Sequence, residues 1–305
     1  MLKTRRIAMR LGLVVTGAAA LLSAYGMGRA ATPPDPHKGG LVVRPGGLLI
    51  QDVVPGETYD LKAKAGVALT IFNREEREHT YALSTRRPTE MGNRALPPGY
   101  ADLPDPSWVA FDKDEVSVPA RSSAEIGIRV TIPADERYFN QHWSVVVVIA
   151  SKAKPGSMVS LAVLPRFEIE TAAAARGTPP AGRLGLQPTK VALSGADGNN
   201  RLRGQFVVHN GDAVDHEYRF AVLPRGRTAR GAFIHATSGF TWMPKTIRVV
   251  LADSRLRVAA GQSVAVPFQV ISPRGIAVPP GGWEAIILVT GADRTTAFVR
   301  VQVTP

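Results

Sequence analysis

Histidines and acidic residues offer the widest chemistry in this sequence, and they are densest between His209 and His216. This stretch, His-Asn-Gly-Asp-Ala-Val-Asp-His, holds two histidines and two aspartates, all of them possible metal ligands. Their spacing matches no established metal motif, and Asn-Gly-Asp is common in turns. The stretch therefore predicts a polar turn, and we predict no metal site in the chain.

Motifs of the common catalytic classes are missing from the sequence. There is no Gly-x-Ser-x-Gly, no His-Glu-x-x-His, no phosphate-binding glycine loop and no Gly-x-Gly-x-x-Gly. Acidic pairs such as Glu75-Glu76 lie in turn-like segments, without the protected surroundings that raise a carboxyl pKa for acid–base work. We therefore predict no catalytic residues, no cofactor and no enzymatic activity.

Two long insertions, residues 86–108 and 224–242, carry the side chains best suited to binding. Arginines bind anionic groups, aromatic rings stack on sugars, and loops on a rigid sandwich commonly carry binding residues. We predict as binding residues Arg86, Arg87 and Tyr100 in the first insertion and Arg225, Arg227, Arg230, Phe233, Phe240 and Trp242 in the second. The alternative is that both insertions only close the end of a sandwich and keep it soluble.

The sequence contains an internal repeat, and this repeat indicates the elements that position the two insertions. Asn73 is followed six residues later by His79, and Asn210 is followed six residues later by His216, an offset of 137. A histidine that recurs in a duplicated unit is more typical of packing or hydrogen bonding than of a catalytic site. We therefore predict a structural role for both histidines.

A second set of matches follows at an offset of 140. It relates Trp143 to Trp283, and the alternating run 124–130 to the run 264–270. An apolar strand follows each tryptophan. Matches over so many positions indicate duplication of one fold, with both tryptophans as packing residues of its core.

Each unit of the repeat is predicted to consist of short strands. Alternation of apolar and polar residues places strands at 67–72, 80–84, 124–132, 145–150 and 159–169, and at 202–208, 217–223, 247–251, 263–271, 285–290 and 297–303. No amphipathic helix is predicted after residue 30. About seven short strands in about 120 residues are typical of a Greek-key sandwich. We predict an all-β protein with two tandem immunoglobulin-like (Greek-key) β-sandwich domains, related by internal duplication.

The N-terminus predicts an exported protein. Basic residues at positions 3, 5, 6 and 10 precede an apolar run at 11–22, and Gly28-Arg29-Ala30 offers a cleavage site before Ala31. A run of 12 residues is short for a membrane span, which needs about 20, so we predict no transmembrane span in the mature chain. An uncleaved anchor stays open, as does the choice between the general secretory and twin-arginine routes.

Composition narrows the classes of partner. The chain has no cysteine, which excludes disulfides, thiol catalysis and a lipid-carrying N-terminal cysteine. Its net charge of +12 becomes +7 once the five basic residues of residues 1–30 are removed. The basic residues are scattered, which disfavours nucleic acid and permits an anionic partner.

These features divide the chain into five parts. We predict a signal peptide at 1–30, a lead-in segment at 31–46, a first immunoglobulin-like domain at 47–171, a linker rich in alanine, proline and glycine at 172–183, and a second domain at 184–305. The linker prolines predict a semi-stiff spacer.

The sequence resembles secreted bacterial immunoglobulin-like sandwich domains, over nearly all of residues 47–305. The resemblance rests on the apolar strands that end in Asn73 and Asn210, the run from Val118 to Pro133, and the strands after the two repeated tryptophans. It is closest to the peptidoglycan-binding and partner-binding domains of cell-wall-associated proteins, and looser to periplasmic pilus chaperones. It implies a sandwich architecture and says little about ligands.

Together these observations predict a non-catalytic exported cell-envelope protein in the periplasm or at the cell surface. It would bind an envelope or surface protein, or an anionic wall polymer, through sandwich loops or strand edges, as pilus chaperones recruit partners by edge pairing. The alternative is a carbohydrate-active or hydrolytic protein with a site hidden in the insertions. The two hypotheses differ in whether both insertions converge on one concave, polar pocket. The sequence leaves the ligand and the oligomeric state open.

Overall fold

The structure is a computed structural model of the 305-residue chain, in which β-strands predominate. The residues it describes are 13–14, 40–92, 95–152, 161–194, 201–223, 225–228, 233–273 and 276–305. The strands form several sheets that stack as two sandwiches, one after the other along the chain. The predicted all-β fold class, with tandem immunoglobulin-like sandwiches, is confirmed.

The N-terminal sandwich contains the first fourteen strands. They are β1 (Leu13–Val14), β2 (Leu41–Arg44), β3 (Gly47–Val53), β4 (Thr58–Asp60), β5 (Leu69–Asn73), β6 (His79–Arg86), β7 (Ala101–Asp102), β8 (Val109–Phe111), β9 (Glu115–Val118), β10 (Ser123–Ile126), β11 (Ile128–Thr131), β12 (His142–Ser151), β13 (Ala162–Val163) and β14 (Arg166–Thr171). A short helix, α1 (Leu61–Ala65), lies between β4 and β5. Three 3-10 turns span Pro88–Met91, Pro106–Trp108 and Glu136–Tyr138.

The C-terminal sandwich is built from ten strands among the residues described. They are β15 (Leu184–Gln187), β16 (Lys190–Ser194), β17 (Arg201–Asn210), β18 (His216–Leu223), β19 (Thr241–Trp242), β20 (Arg248–Leu251), β21 (Arg255–Val258), β22 (Ser263–Ile271), β23 (Trp283–Gly291) and β24 (Thr296–Thr304).

The two sandwiches share one pattern of strand pairing. In the first, β14 pairs antiparallel with β12 and parallel with β3, and β12 is followed by β6 and β9. In the second, β24 pairs antiparallel with β23 and parallel with β16, and β23 is followed by β18 and β21. The remaining sheets are β10-β5-β2 and β4-β11-β8 in the first, and β15-β17-β22-β20 in the second. The repeated order supports the duplication inferred from the sequence offsets.

Alternation along the strands places every second side chain in a core. In β11, Ile128 and Val130 are buried while Arg129 and Thr131 are exposed, as a strand with one buried face requires. The two sandwiches have separate cores, each of which contains one of the repeated tryptophans. Both tryptophans are therefore packing residues, as their repetition predicts.

The repeated asparagines make the same hydrogen bonds in the two sandwiches. The Nδ2 of Asn73 donates to the backbone oxygens of residues 77, 118 and 119, and its Oδ1 accepts from the backbone N–H of residue 75. The Nδ2 of Asn210 donates to the oxygens of residues 214, 258 and 259, and its Oδ1 accepts from the N–H of residue 212. Each buried side chain thus satisfies backbone groups of two loops, and this explains why the residue type recurs.

The repeated histidines lie at the same loop ends. His79 contacts the carboxylate of Glu75 at 2.6 Å, and His216 contacts that of Asp212 at 3.0 Å. Within the described chain, no group of three or more histidine and acidic side chains is arranged to hold a metal ion. The polar stretch 209–216 serves as a strand end and turn.

The start of the N-terminal sandwich differs from the predicted boundaries. The predicted boundary places the lead-in segment, 31–46, before the first domain, but β2 contributes the buried side chains of Leu41 and Val43 to the core of that domain. The predicted signal peptide lies outside the described residues except for β1, whose backbone pairs antiparallel with Leu49 and Ile50 of β3.

The linker at 172–183 is held against both sandwiches. Asn140, which has a left-handed backbone (φ 60°), donates from Nδ2 to the Ala174 oxygen at 2.9 Å. Its Oδ1 accepts from the backbone N–H of Ala174 at 3.1 Å and of Thr189 at 3.0 Å. The Thr178 hydroxyl donates to Glu136 at 2.9 Å. The linker is thus a docked connection rather than a free spacer.

Candidate functional site

The two insertions meet at the junction between the sandwiches, where they form a packed apolar cluster. Tyr100 from the first insertion and Ile234 from the second are buried there against Leu223, Ile286 and Phe298 of the C-terminal sandwich. The ring of Tyr100 lies 5.5 Å from that of Phe298, measured between centroids. The two insertions do converge, and their described residues meet in a buried contact.

A buried ionic cluster lies beside these rings. The guanidinium of Arg300 donates to Glu170 of the other sandwich at 2.7 and 2.5 Å, and to Glu284 of its own sandwich at 2.9 Å. All three side chains are at most 4% exposed. An arginine shared by two carboxylates is strongly held, because each bond is assisted by charge in a region that water does not reach.

Neutral side chains complete the cluster from both insertions and both sandwiches. Glu170 also accepts from the Tyr100 hydroxyl at 2.6 Å and from Gln51 at 2.8 Å. Glu284 accepts from the backbone N–H and hydroxyl of Thr237 at 2.9 and 2.7 Å, and from Gln302 at 2.9 Å. These bonds compensate for much of the cost of burying two carboxylates.

Burial and the charges within the cluster shift the pKa values of its titratable groups. Burial acts to raise the pKa of Glu170, but the adjacent Arg300 guanidinium holds that pKa well below its usual range. Burial alone would lower the pKa of Arg300, but the two carboxylates raise it well above its ordinary value. Burial and the neighbouring carboxylates raise the pKa of Tyr100 well above its ordinary value. Glu170 and Arg300 are therefore both charged at neutral pH.

Two further titratable groups border the cluster. Burial, and then repulsion from Glu170, raises the pKa of Glu168 to about 7. Burial lowers the pKa of His142 to about 4, although Glu170 partly opposes this. The neutral His142 ring stacks on Phe298 with centroids 3.9 Å apart. Both groups stabilise the junction best in their uncharged forms.

The buried carboxylates are placed for structure rather than for turnover. Glu170 and Glu284 are enclosed by hydrogen-bond donors, and neither has the exposure that contact with a substrate requires. A second ion pair, between Asp52 and Lys190, also joins the two sandwiches. The interpretation that best fits these contacts is a rigid junction.

The structure places the predicted residues of the first insertion in different surroundings. Arg86 is exposed at the end of β6. Arg87 is half-buried, donates to the Leu103 and Pro104 oxygens, and pairs with Glu90 at 3.3 Å. Tyr100 lies in the junction and is 4% exposed. Of the three, Arg86 is therefore the exposed one, and a binding role for the set stays a prediction.

The second insertion keeps more of its predicted residues at the surface. Arg225 and Arg227 are exposed, and the Arg227 guanidinium lies 5.1 Å from the centre of the Phe233 ring, which is 51% exposed. Phe240 and Trp242 are half-buried, and Trp242 packs against the junction cluster. The predicted residue Arg230 lies outside the described residues. We call Arg225, Arg227 and Phe233 the basic loop surface.

Sequence reasoning missed Glu170, Glu284 and Arg300. A signal was present, because Arg300 lies in Phe-Val-Arg-Val-Gln-Val and Glu284 directly follows a repeated tryptophan at the start of an apolar strand. Charged residues on the face of such a strand that is turned away from its own core ordinarily face solvent, so this signal does not by itself identify a buried partner.

In the part of the chain that the structure covers, no helix is long and apolar enough to cross a membrane.

Comparisons with known proteins give similarities of architecture alone. No family model matches the chain, and no curated protein matches it. A solved protein of unknown function from Porphyromonas gingivalis is 15% identical, with a TM-score of 0.33, and the match covers 88% of this chain and 100% of that one. The periplasmic chaperone SfaE is 9% identical, with a TM-score of 0.29 and coverages of 87% and 100%.

A third similar structure is a pre-assembly complex of the chaperone CsuC with the tip adhesion subunit CsuE, from the Csu pili of Acinetobacter baumannii. It is 7% identical, with a TM-score of 0.30 and coverages of 88% and 100%. Chaperones, the looser of the two resemblances, are thus present among the structural neighbours.

Proposed function

We propose that the protein is a non-catalytic, exported envelope protein that binds an anionic partner, either a surface protein or a wall polymer, through the basic loop surface. Export is supported by the basic and apolar pattern of residues 1–30. A non-catalytic role is supported by the junction, which buries the carboxylates of Glu170 and Glu284 beside the insertions.

The observation that carries the proposal is the exposed pair of Arg227 and Phe233. An arginine beside an exposed aromatic ring offers a positive charge and a stacking face together, which suits a carboxylate or phosphate on a polymer. Arg225 lies on the same loop and adds a second positive charge. The surrounding insertion is anchored in the junction through Ile234, so the pair is presented on a rigid base.

The test is co-sedimentation of purified mature protein with isolated cell envelopes at low and high salt. Replacement of Arg225→Glu together with Arg227→Glu should leave the melting temperature nearly unchanged, because both residues are exposed. The same change should reduce the retained fraction several-fold at low salt. Salt should reduce retention of the unmodified protein, because it screens attraction between surface charges.

A matched double reversal, Arg176→Glu with Arg255→Glu, changes the net charge equally at exposed positions outside the basic loop surface. It should be retained almost as well as the unmodified protein. Equal retention of all three proteins at both salt concentrations would reject the basic loop surface and leave strand edges as the route of binding.

A further inference from the structure

The C-terminal sandwich has one sheet turned toward the N-terminal sandwich and one turned away from it. The junction residues Glu284, Ile286 and Arg300 all lie on β23 and β24, in the sheet β16-β24-β23-β18-β21. The core of the sandwich separates this sheet from the other one, β15-β17-β22-β20. The outer face of β17, β22 and β20 therefore points away from the junction.

Strand alternation identifies the side chains on this outer face. Phe206 of β17 and Phe268 of β22 belong to the core, so the odd-numbered positions of both strands point outward. We call the odd-numbered positions of 201–209 and 263–271, together with Arg248 and Val250 of β20, the distal face. It contains three arginines and no acidic residue, and it is therefore positively charged.

Two arginines of the distal face present their charge to solvent. Arg203 of β17 and Arg248 of β20 are exposed, and among the described residues neither forms an ion pair with a carboxylate. On the other sheet, by contrast, Arg257 of β21 pairs with Asp215 at 3.2 Å. The charges of Arg203 and Arg248 are thus available to an anion from outside the molecule.

The equivalent face of the N-terminal sandwich carries both signs of charge. Asp60 of β4 pairs with Arg129, and Arg203 pairs with Gln269, which lies 140 positions after Arg129. Arg203 therefore takes the place of an acidic residue, and a neutral residue takes the place of the arginine beside it. Because the same fold forms with either set of charges, packing of the sandwich does not require the cationic distal face.

The two sandwiches also differ in charge as whole domains. Residues 47–171 contain 14 basic and 17 acidic residues, whereas residues 184–305 contain 14 basic and 7 acidic ones. The distal face thus lies on the basic domain, on the side opposite the acidic domain. A separation of charge of this kind orients a protein in the field of a charged surface. An anionic surface would attract the distal face and repel the N-terminal sandwich.

The arrangement of the charges suits a planar partner. Arg203 and Arg248 are two strands apart, because β22 lies between β17 and β20, and this places their strands roughly 10 Å from each other. The side chains between them, Gln269 and Ile271, are neutral and half-buried. A bilayer presents phosphate groups over a plane, and each arginine near such a surface contributes separately to binding.

We propose that the C-terminal sandwich binds the anionic phospholipid headgroups of a membrane through the distal face, with the strands parallel to the bilayer and the N-terminal sandwich held away from it. The basic loop surface lies on the insertion between β18 and β19, which belong to the other sheet. The membrane site is therefore separate from that surface, and both can be occupied at once.

The experiment is co-sedimentation of the purified mature protein, at low salt, with vesicles of phosphatidylglycerol and phosphatidylcholine in equal amounts. Binding is expected to these vesicles and not to vesicles of phosphatidylcholine alone. Arg203→Glu with Arg248→Glu should weaken binding at least about tenfold, because each arginine near an anionic surface contributes roughly a factor of five. The melting temperature should stay nearly unchanged, since both residues are exposed.

A matched control is Arg176→Glu with Arg255→Glu, which changes the net charge equally at exposed positions outside the distal face. It should weaken vesicle binding by less than about threefold. Arg225→Glu with Arg227→Glu, in the basic loop surface, should also stay within about threefold of the unmodified protein.

The orientation on the bilayer is tested with fluorescent labels, because a chain without cysteine accepts a label at one chosen position. Gln205→Cys places the label on the distal face, and Ser123→Cys places it at an exposed position of the N-terminal sandwich. Lipids with a nitroxide on the headgroup should quench the label at position 205 and leave the label at position 123 nearly unquenched. Equal quenching at the two positions would overturn the proposed orientation and the distal face with it.

Absence of binding to phosphatidylglycerol vesicles would overturn the proposal, and so would binding that Arg203→Glu with Arg248→Glu leaves unchanged. Binding to soluble polyphosphate without binding to vesicles would also overturn it and assign the distal face to an anionic polymer. If vesicles fail to bind while Arg225→Glu with Arg227→Glu still reduces retention by cell envelopes, the distal face is rejected and the proposed function stands.

Discussion

Replacement of Arg300 by methionine tests whether the buried ionic cluster holds the two sandwiches together. Methionine has a similar length and no charge, so Arg300→Met removes the cation and leaves most of the packing volume. Glu170 loses two charge-assisted bonds and Glu284 loses one. The structure therefore predicts a loss of folding stability. This loss arises from two buried carboxylates without their cation, rather than from a cavity.

The size of the stability loss depends on the hydrogen bonds that each carboxylate retains in Arg300→Met. Glu170 retains bonds from Tyr100 and Gln51, and Glu284 retains bonds from Thr237 and Gln302. Removing one partner of a buried ion pair typically costs about 3–5 kcal/mol. The retained donors favour the middle of this range, so we expect a loss of about 4 kcal/mol in the free energy of unfolding.

Urea unfolding, followed by tryptophan fluorescence and circular dichroism at several pH values, measures this loss. Without the guanidinium, burial raises the pKa of the Glu170 carboxyl above its unfolded value. A raised carboxyl pKa favours the folded state at low pH, and that advantage is lost as the pH rises through the folded pKa. The deficit of Arg300→Met should therefore be larger at pH 8 than at pH 5.

A triple variant, with Glu170→Gln and Glu284→Gln added to Arg300→Met, should recover more than half of the loss, because no buried charge remains. Arg257→Met is the matched control. Arg257 is 78% exposed and pairs with Asp215 at 3.2 Å, so its loss should cost less than about 1 kcal/mol. A deficit for Arg300→Met no larger than that of the control, or one independent of pH, would refute this account of the junction.

Three further predictions concern the repeated asparagines, the border of the cluster and the N-terminus. Asn73→Ala and Asn210→Ala should each lower the free energy of unfolding by about 2–4 kcal/mol in urea titrations, because each leaves backbone carbonyl groups of two loops without donors; a large effect of one with none of the other would contradict their equivalence. Glu168→Gln should gain stability relative to the unmodified protein as the pH rises from 6 to 8, since the raised pKa of Glu168, about 7, makes its ionised form unfavourable in the folded state; equal thermal melting temperatures across this range would show that Glu168 does not titrate there. Mass spectrometry of protein from the native host should find a mature start near Ala31, whereas an intact Met1 on cytosolic protein would argue against export.

The sequence was sufficient to predict the residues whose role is repeated. Asn73 and Asn210 recur because each sandwich needs the same backbone groups satisfied, and this need is local to one domain. Alternation predicted strands because one face of each sheet is buried. The helix α1 was not predicted, because five residues with one buried leucine are too few for a helical period to be recognised.

The junction could not be predicted, because its contacts join residues far apart in the chain. Arg300 and Glu170 are 130 positions apart, and each stands on the face of its strand that points away from its own core. Strand alternation marks such residues as solvent-facing, unless the arrangement of the two sandwiches is known. Tyr100 was predicted as a binding residue of the first insertion, because the sequence does not show the arrangement of the two sandwiches. Its ring and hydroxyl are buried between them.

The hydrogen bonds of Asn140 have a consequence for how this pair of domains can change over evolution. One side chain binds the linker at Ala174 and the first turn of the C-terminal sandwich at Thr189, so the length of chain between these two points is fixed by contacts at both ends. Insertions or deletions in the linker would separate those ends from Asn140. Recombination that exchanged one sandwich alone would separate the Oδ1 of Asn140 from the Thr189 N–H that donates to it. We therefore expect the two sandwiches to be inherited as a single genetic module, with linker length varying less than the lengths of the surface loops.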